Sequence, residues 1–146
     1  MQPASANFEF LRAHGTQLFR LAALAEHYFR TDPNTSLMKL RQFAEQLARD
    51  VAARTGSLRS TDEKFVDLLG ELGRSGYAPP LTITLFHQLR VVGNEAVHGD
   101  LDDFGAALNG LKNARQLAIW FVRSYGGMPK LSPGPFTPPP PPEDPT

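Results

Sequence analysis

Proline divides this chain more sharply than any other residue. Nine of the 13 prolines follow Met128, in the stretch MPKLSPGPFTPPPPPEDPT, and the preceding 128 residues hold only Pro3, Pro33, Pro79 and Pro80. Proline has no amide donor and its ring clashes with the preceding helical turn, so the last stretch can form neither a helix nor a central strand. The first part is free to build long helices. We therefore expect a flexible start over residues 1–6, one folded domain over 7–127 and a Pro-rich linker or disordered tail over 128–146, with the boundary at Gly126-Gly127. Pro138 to Pro142 should form a polyproline II spacer without packed structure, leading towards the rest of a longer polypeptide. The same conformation suits SH3-type or WW-type grooves, but nothing in PPPPPEDPT selects a reader.

Within the first 127 residues, apolar side chains recur at spacings of three and four and never alternate with period two, which implies an all-α domain. Asn7 is a candidate cap for NFEFLRAH; after a weak point at Gly15 the pattern Leu18, Leu21, Ala25, Phe29 continues to Arg30. Asp32-Pro33 places an N-cap before a proline suited to the first helical position, and Leu37, Leu40, Phe43, Ala44, Leu47 and Val51 then form one stripe up to Gly56. The capping box STDE, Ser60 to Glu63, should open a helix carrying Phe65, Leu68, Leu69 and Leu72 that ends before Gly76. Pro79-Pro80 forces a loop. Leu81, Leu85, Leu89, Val92 and Ala96 mark a further helix stopping at Gly99, and Asp102 or Asp103 opens the last, running to Tyr125. Five to six helices with short connections imply an up-and-down bundle. Leu40, Phe43, Leu47, Leu89, Leu111 and Trp120 or Phe121 should meet in its core.

Composition excludes several functions. At 146 residues and 16.1 kDa the chain is one domain rather than a multi-domain enzyme. It has no cysteine, so disulfides, thiolate zinc sites and a cysteine nucleophile are ruled out, and a reducing, cytoplasmic setting fits. Fifteen basic and 15 acidic side chains leave no net charge, unlike a polyelectrolyte-type nucleic-acid binder, although a local basic face stays open. No apolar run approaches the ~18 residues that span a bilayer, so no membrane partner is expected. Phosphate-loop, dinucleotide-binding, zincin, nucleophile-elbow and EF-hand motifs are missing, so no cofactor is expected. His14 and His27 are isolated and His87 and His98 lie eleven apart, so no metal site is expected either.

The segment FHQLRVVGNEAVHGD, Phe86 to Asp100, carries the chemistry-bearing residues. Arg90, Asn94 and His98 follow at i, i+4 and i+8, within roughly 80° of arc on one helix face, and His87 falls between them. An amphipathic helix showing its polar face to water explains this stripe. The same residues also suit phosphodiester cleavage without a metal: a histidine to move a proton near neutral pH, an arginine to hold phosphate oxygens and an asparagine to orient either. Opposite the stripe, Gly93 and Ala96 permit close approach of another helix. Arg41 and Glu45, at i and i+4, can pair with each other or with the stripe, and Lys39, Arg41, Arg49 and Arg54 form a basic helix face interrupted by Glu45 and Asp50.

GNEAVHG, preceded by DPNTSLMKLRQFAEQLARDVAAR and followed by ALNGLKNARQLAIWF, resembles the helical domain of unknown function at the N-termini of a group of type I restriction enzyme R subunits. That domain is part of the HEPN-like helical superfamily. The resemblance covers about residues 6–126 and implies a HEPN-like bundle of five to six helices. It also implies a parent protein, a type I site-specific deoxyribonuclease, whose helicase-type ATPase motor and nuclease modules lie outside these residues. The implied function is a non-catalytic interaction or scaffold domain in DNA restriction and defence. Its implied partners are other subunits or domains of a restriction complex, with DNA reached through the parent complex. Catalytic HEPN ribonucleases carry an arginine, four to six residues, then a histidine. His98 fits the histidine and Asn94 the polar position, but Arg90 stands seven residues before His98, and Gly93 occupies the place of the catalytic arginine. This departure favours a scaffold. A metal-independent ribonuclease and a homodimerisation module stay open as alternatives.

Overall fold

The computed structural model describes residues 4–98 and 103–139. Gly99, Asp102 and the last three residues of the proline run, Pro140 to Pro142, lie outside the described residues, as do the expectations attached to them. A short 3-10 helix, Glu9–His14, precedes α1 (Thr16–Tyr28), α2 (Pro33–Thr55), α3 (Phe65–Arg74), α4 (Pro80–Val97) and α5 (Phe104–Tyr125). No strand occurs among the described residues. The fold is an all-α bundle.

Helix α2 is its axis, packing against α1, α3, α4 and α5. Its ends follow from sequence. Asp32 accepts a hydrogen bond from Thr35 N at 3.1 Å, Pro33 occupies the first turn, and Gly56 closes the helix at φ 75°, where a side chain would be strained. Leu37, Leu40, Phe43, Ala44, Leu47 and Val51 are all fully buried, as the stripe predicts. They meet Leu89 of α4, Leu111 and Phe121 of α5 and Phe8 in one core, with the Phe8 and Phe43 rings 6.2 Å apart; Trp120 is only half-buried. The order TDPNTS also stitches helices together. Ser36 Oγ donates to Ala25 O of α1 at 2.6 Å, and Asn34 Nδ2 donates to Ala96 O near the end of α4 at 2.7 Å.

Four expectations change. The box Ser60 to Glu63 does not cap α3, whose preceding residue Lys64 makes no side-chain cap; Ser60 Oγ instead accepts from Asp62 N at 3.1 Å within its own turn. Pro79 ends the loop that follows α3, but Pro80 is not in it, being the first residue of α4. The buried face of α4 is Thr82, Phe86, Leu89, Gly93 and Ala96, so Leu81 is 81% exposed and Leu85 and Val92 are only half-buried. Asn7 caps nothing: Ser5 Oγ takes Phe8 N at 3.0 Å, and the Asn7 amide pairs with the far end of the chain, accepting from Thr137 N and donating to Thr137 O, both at 2.7 Å.

That last contact alters the reading of the tail. After a turn in which Leu131 N donates to Met128 O at 3.1 Å, residues 132–139 carry neither helix nor strand and lie on the bundle as a strap. Arg115, 8% exposed, donates to Asn7 O, Pro133 O and Gly134 O at 3.2, 3.4 and 2.8 Å. Arg123 Nε donates to Leu131 O and Arg30 Nε to Pro139 O, at 2.8 and 3.0 Å, while Leu131 and Phe136 pack against the core. A proline-rich backbone has carbonyl acceptors and few donors, so donor-only guanidinium groups are suited to hold it.

Candidate functional site

The two sequence blocks TDPNTSLMKLRQFAE and GNEAVH form a single seam where α2 crosses α4. Gly93 makes the crossing possible, since a Cβ there would stand 2.3 Å from Arg41 Cβ. The Arg41 stem lies on the α4 backbone at that point. From this position its Nε donates to Asn94 Oδ1 at 2.7 Å and its Nη1 to Glu45 Oε1 at 3.1 Å, with the guanidinium 5.8 Å from the Phe65 ring centroid. Glu45 also accepts from Arg49 Nε and Nη2 at 3.2 and 2.9 Å, and Arg49 Nη2 reaches Glu63 O at 2.7 Å. Arg41 and Glu45 thus pair both with each other and, through Arg41, with the stripe on α4. Glu45, which interrupts the basic face in sequence, bridges two of its arginines.

The stripe itself is divided between two surfaces. Arg90 and Asn94 line an open cleft of about 390 Å³ together with Arg41, Glu45, Arg49 and Lys64. His87 lines a separate groove of about 800 Å³ between α4 and α5, with Gln88, Val92, Glu95, Asn109 and Asn113. Arg90 Nε donates to His87 Nδ1 at 3.3 Å across the ridge between them. Burial, together with the charge on Arg90, lowers the His87 imidazole below the ordinary histidine value. His98 is exposed at the end of α4, joined there through its backbone N–H to Glu95 O at 3.2 Å, and it lines neither cavity. Arg90, Asn94 and His98 therefore share a ridge without converging on one reacting atom, and Asn94 spends its carbonyl oxygen on Arg41.

Several contributors were not singled out as site residues: Arg49 and Lys64 in the cleft, Asn34 at the end of α4. Arg49 was visible only as part of the basic face. Nothing in local pattern marks Asn34, whose partner lies 62 residues away. Among the described residues no group of three or more histidine or carboxylate side chains is placed to hold a metal ion, and no helix is long and apolar enough to cross a membrane.

The seam falls inside the segment that matches a known family model, the domain of unknown function DUF4145, over residues 24–118. The chain belongs to the DUF4145 family. The chain is also similar to the type I restriction enzyme EcoKI endonuclease subunit of Escherichia coli (strain K12), 36% identical over 120 residues. That match takes in 81% of this chain and 10% of the subunit, so the chain spans about a tenth of the relative's length. No solved structure matches this DUF4145 chain.

Proposed function

We propose that this DUF4145 domain is a non-catalytic, HEPN-like interaction module of a type I restriction R subunit. In that role it docks the motor subunit onto other subunits or DNA of the restriction complex. The similarity to the EcoKI endonuclease subunit supports the setting. One observation carries the non-catalytic part: Asn94 is bound to Arg41 across the α2–α4 seam while His98 stands apart at the helix end. Proton transfer and phosphate activation require groups within hydrogen-bond reach of one substrate atom, and here Asn94 instead ties α4 to α2 while His98 lies elsewhere on the surface.

Two measurements test the reading. The purified chain should leave single-stranded RNA intact in EDTA; cleavage that disappears in both Asn94→Ala and His98→Ala would establish the ribonuclease alternative. Removing the matched 120-residue segment from the EcoKI endonuclease subunit should weaken its association with the enzyme's other subunits. Unchanged association on removal counts against a docking role.

A further inference from the structure

We propose that the cleft between α2, α4 and the start of α3 is a phosphate-binding site formed by Arg41, Arg49, Arg90 and Lys64. The site goes beyond the docking role and stands whether or not the domain cleaves anything.

Three observations carry it. Arg49 lines the cleft, and its Nη1 is buried without a hydrogen-bond partner among the described residues although its other two nitrogens are engaged. Buried donors are rarely left so, because the lost hydration is not repaid. Arg90, which is only partly buried, gives its Nε to His87 and keeps both terminal nitrogens without a protein partner among the described residues, so they are available to a ligand. The second observation is an imbalance of charge. Four cationic side chains line the cleft against three carboxylates, Glu45, Asp62 and Glu63; Glu45 is shared by two arginines, and Glu63 turns to its own loop, accepting from Arg59 N at 3.4 Å. Arg90 and Lys64 form no salt bridge among the described residues. The third is that the cleft is built before any ligand arrives. Gly93, Asn94, Glu45 and Phe65 hold Arg41 from four sides, so little side-chain freedom remains to be lost.

The donor set selects the anion. A carboxylate is satisfied by one planar guanidinium fork, whereas donors from four separate side chains suit an anion with three or four oxygens spread tetrahedrally. An open cleft of about 390 Å³ leaves room for the rest of a phosphate ester to continue into solvent. That ester could be a free nucleotide or one unit of a nucleic-acid backbone, with the same recognition chemistry.

Arginine Nε resonances of the full 146-residue chain, titrated with inorganic phosphate against chloride at matched ionic strength, test the site. We expect saturable shifts at Arg41 and Arg90. Affinity should fall about tenfold in Arg90→Gln and in Lys64→Gln, the latter removing an exposed side chain without a structural bond, and less than about twofold in Arg20→Gln, an exposed cation outside the cleft. The same shifts with a deoxynucleoside monophosphate but not a short DNA duplex would assign a free ester. Shifts with the duplex, and a salt slope that drops by about 0.9 in Arg90→Gln, would assign the backbone. Absence of saturable shifts with phosphate, or equal weakening in Arg20→Gln, overturns the proposal.

Discussion

Arginine fastens both the α2–α4 seam and the C-terminal strap, but to different kinds of partner. At the seam, Arg41 meets Asn94 and Glu45, so each contact needs a matching side chain, and its stem needs glycine at position 93. At the strap, Arg115, Arg123 and Arg30 meet main-chain carbonyls of residues 131 to 139, which any residue would provide. The seam is specified from both sides. The polar fastening of the strap is specified from the domain side, while its own sequence adds Leu131 and Phe136 against the core and Gly134 at φ 88°.

Three substitutions sharpen or break this contrast. The largest effect belongs to the seam: Gly93→Ala should destabilise by about 2–3 kcal/mol in chemical denaturation, because the clash is with Arg41 Cβ on a packed helix rather than with a mobile side-chain end. A loss below about 1 kcal/mol would mean that the helices part easily and the seam is not specified. Next, Arg115→Met keeps the apolar stem but leaves three carbonyls without their donor, and should cost about 2 kcal/mol. It should also expose Lys130 to trypsin while α1 to α5 stay protected. Thr137→Ala should change stability by less than about 0.5 kcal/mol, since Thr137 is held through its backbone. Equal losses in the two variants would erase the distinction between side-chain and main-chain specification.

The smallest effect is electrostatic. His87 titrates below its ordinary value in the fold because of burial and Arg90, so protons bind the unfolded chain more readily. Stability is then fully present above the unfolded-state value of about 6.5 and declines as pH falls below it. Urea midpoints compared at neutral and mildly acid pH should therefore converge in His87→Gln relative to the unaltered chain. An unchanged pH dependence would show that the fold does not hold His87 below its ordinary value.

Legibility in the sequence follows the same division. Helix faces were readable because burial repeats with the helical period, as Leu37 to Val51 show, and so were the Asp32 and Asp103 caps, whose partners lie two or three residues away. Local motifs with a competing partner were misread. Asn7 has the chemistry of a cap, but its amide pairs with Thr137 as a peptide would, one N–H donated and the oxygen accepting, while its second N–H goes to Glu26 Oε1. The Ser60 box spells a helix start, yet its bonds close a turn before Lys64. In the candidate site, periodicity gathered Arg90, Asn94 and His98 into one stripe, of which Arg90 and Asn94 line the cleft and His98 does not. Periodicity could not say which neighbours divide that stripe, because Arg41 lies 53 residues from Asn94 and the pairing depends on a helix crossing. The arginine contacts to the strap left no mark in the strap's own sequence, since carbonyl groups are the same in every sequence.

The Asn7–Thr137 pair has a topological consequence. Chain entering at residue 7 and chain leaving at residue 137 pass through one doorway, joined by two hydrogen bonds. A peptide joining the two sides of that doorway would need to span almost no distance, and new ends could open in the exposed turn around Ser60 without cutting a helix. The bundle thus has the geometry of a cassette: a host polypeptide can carry it as an insertion while the flanking segments remain side by side.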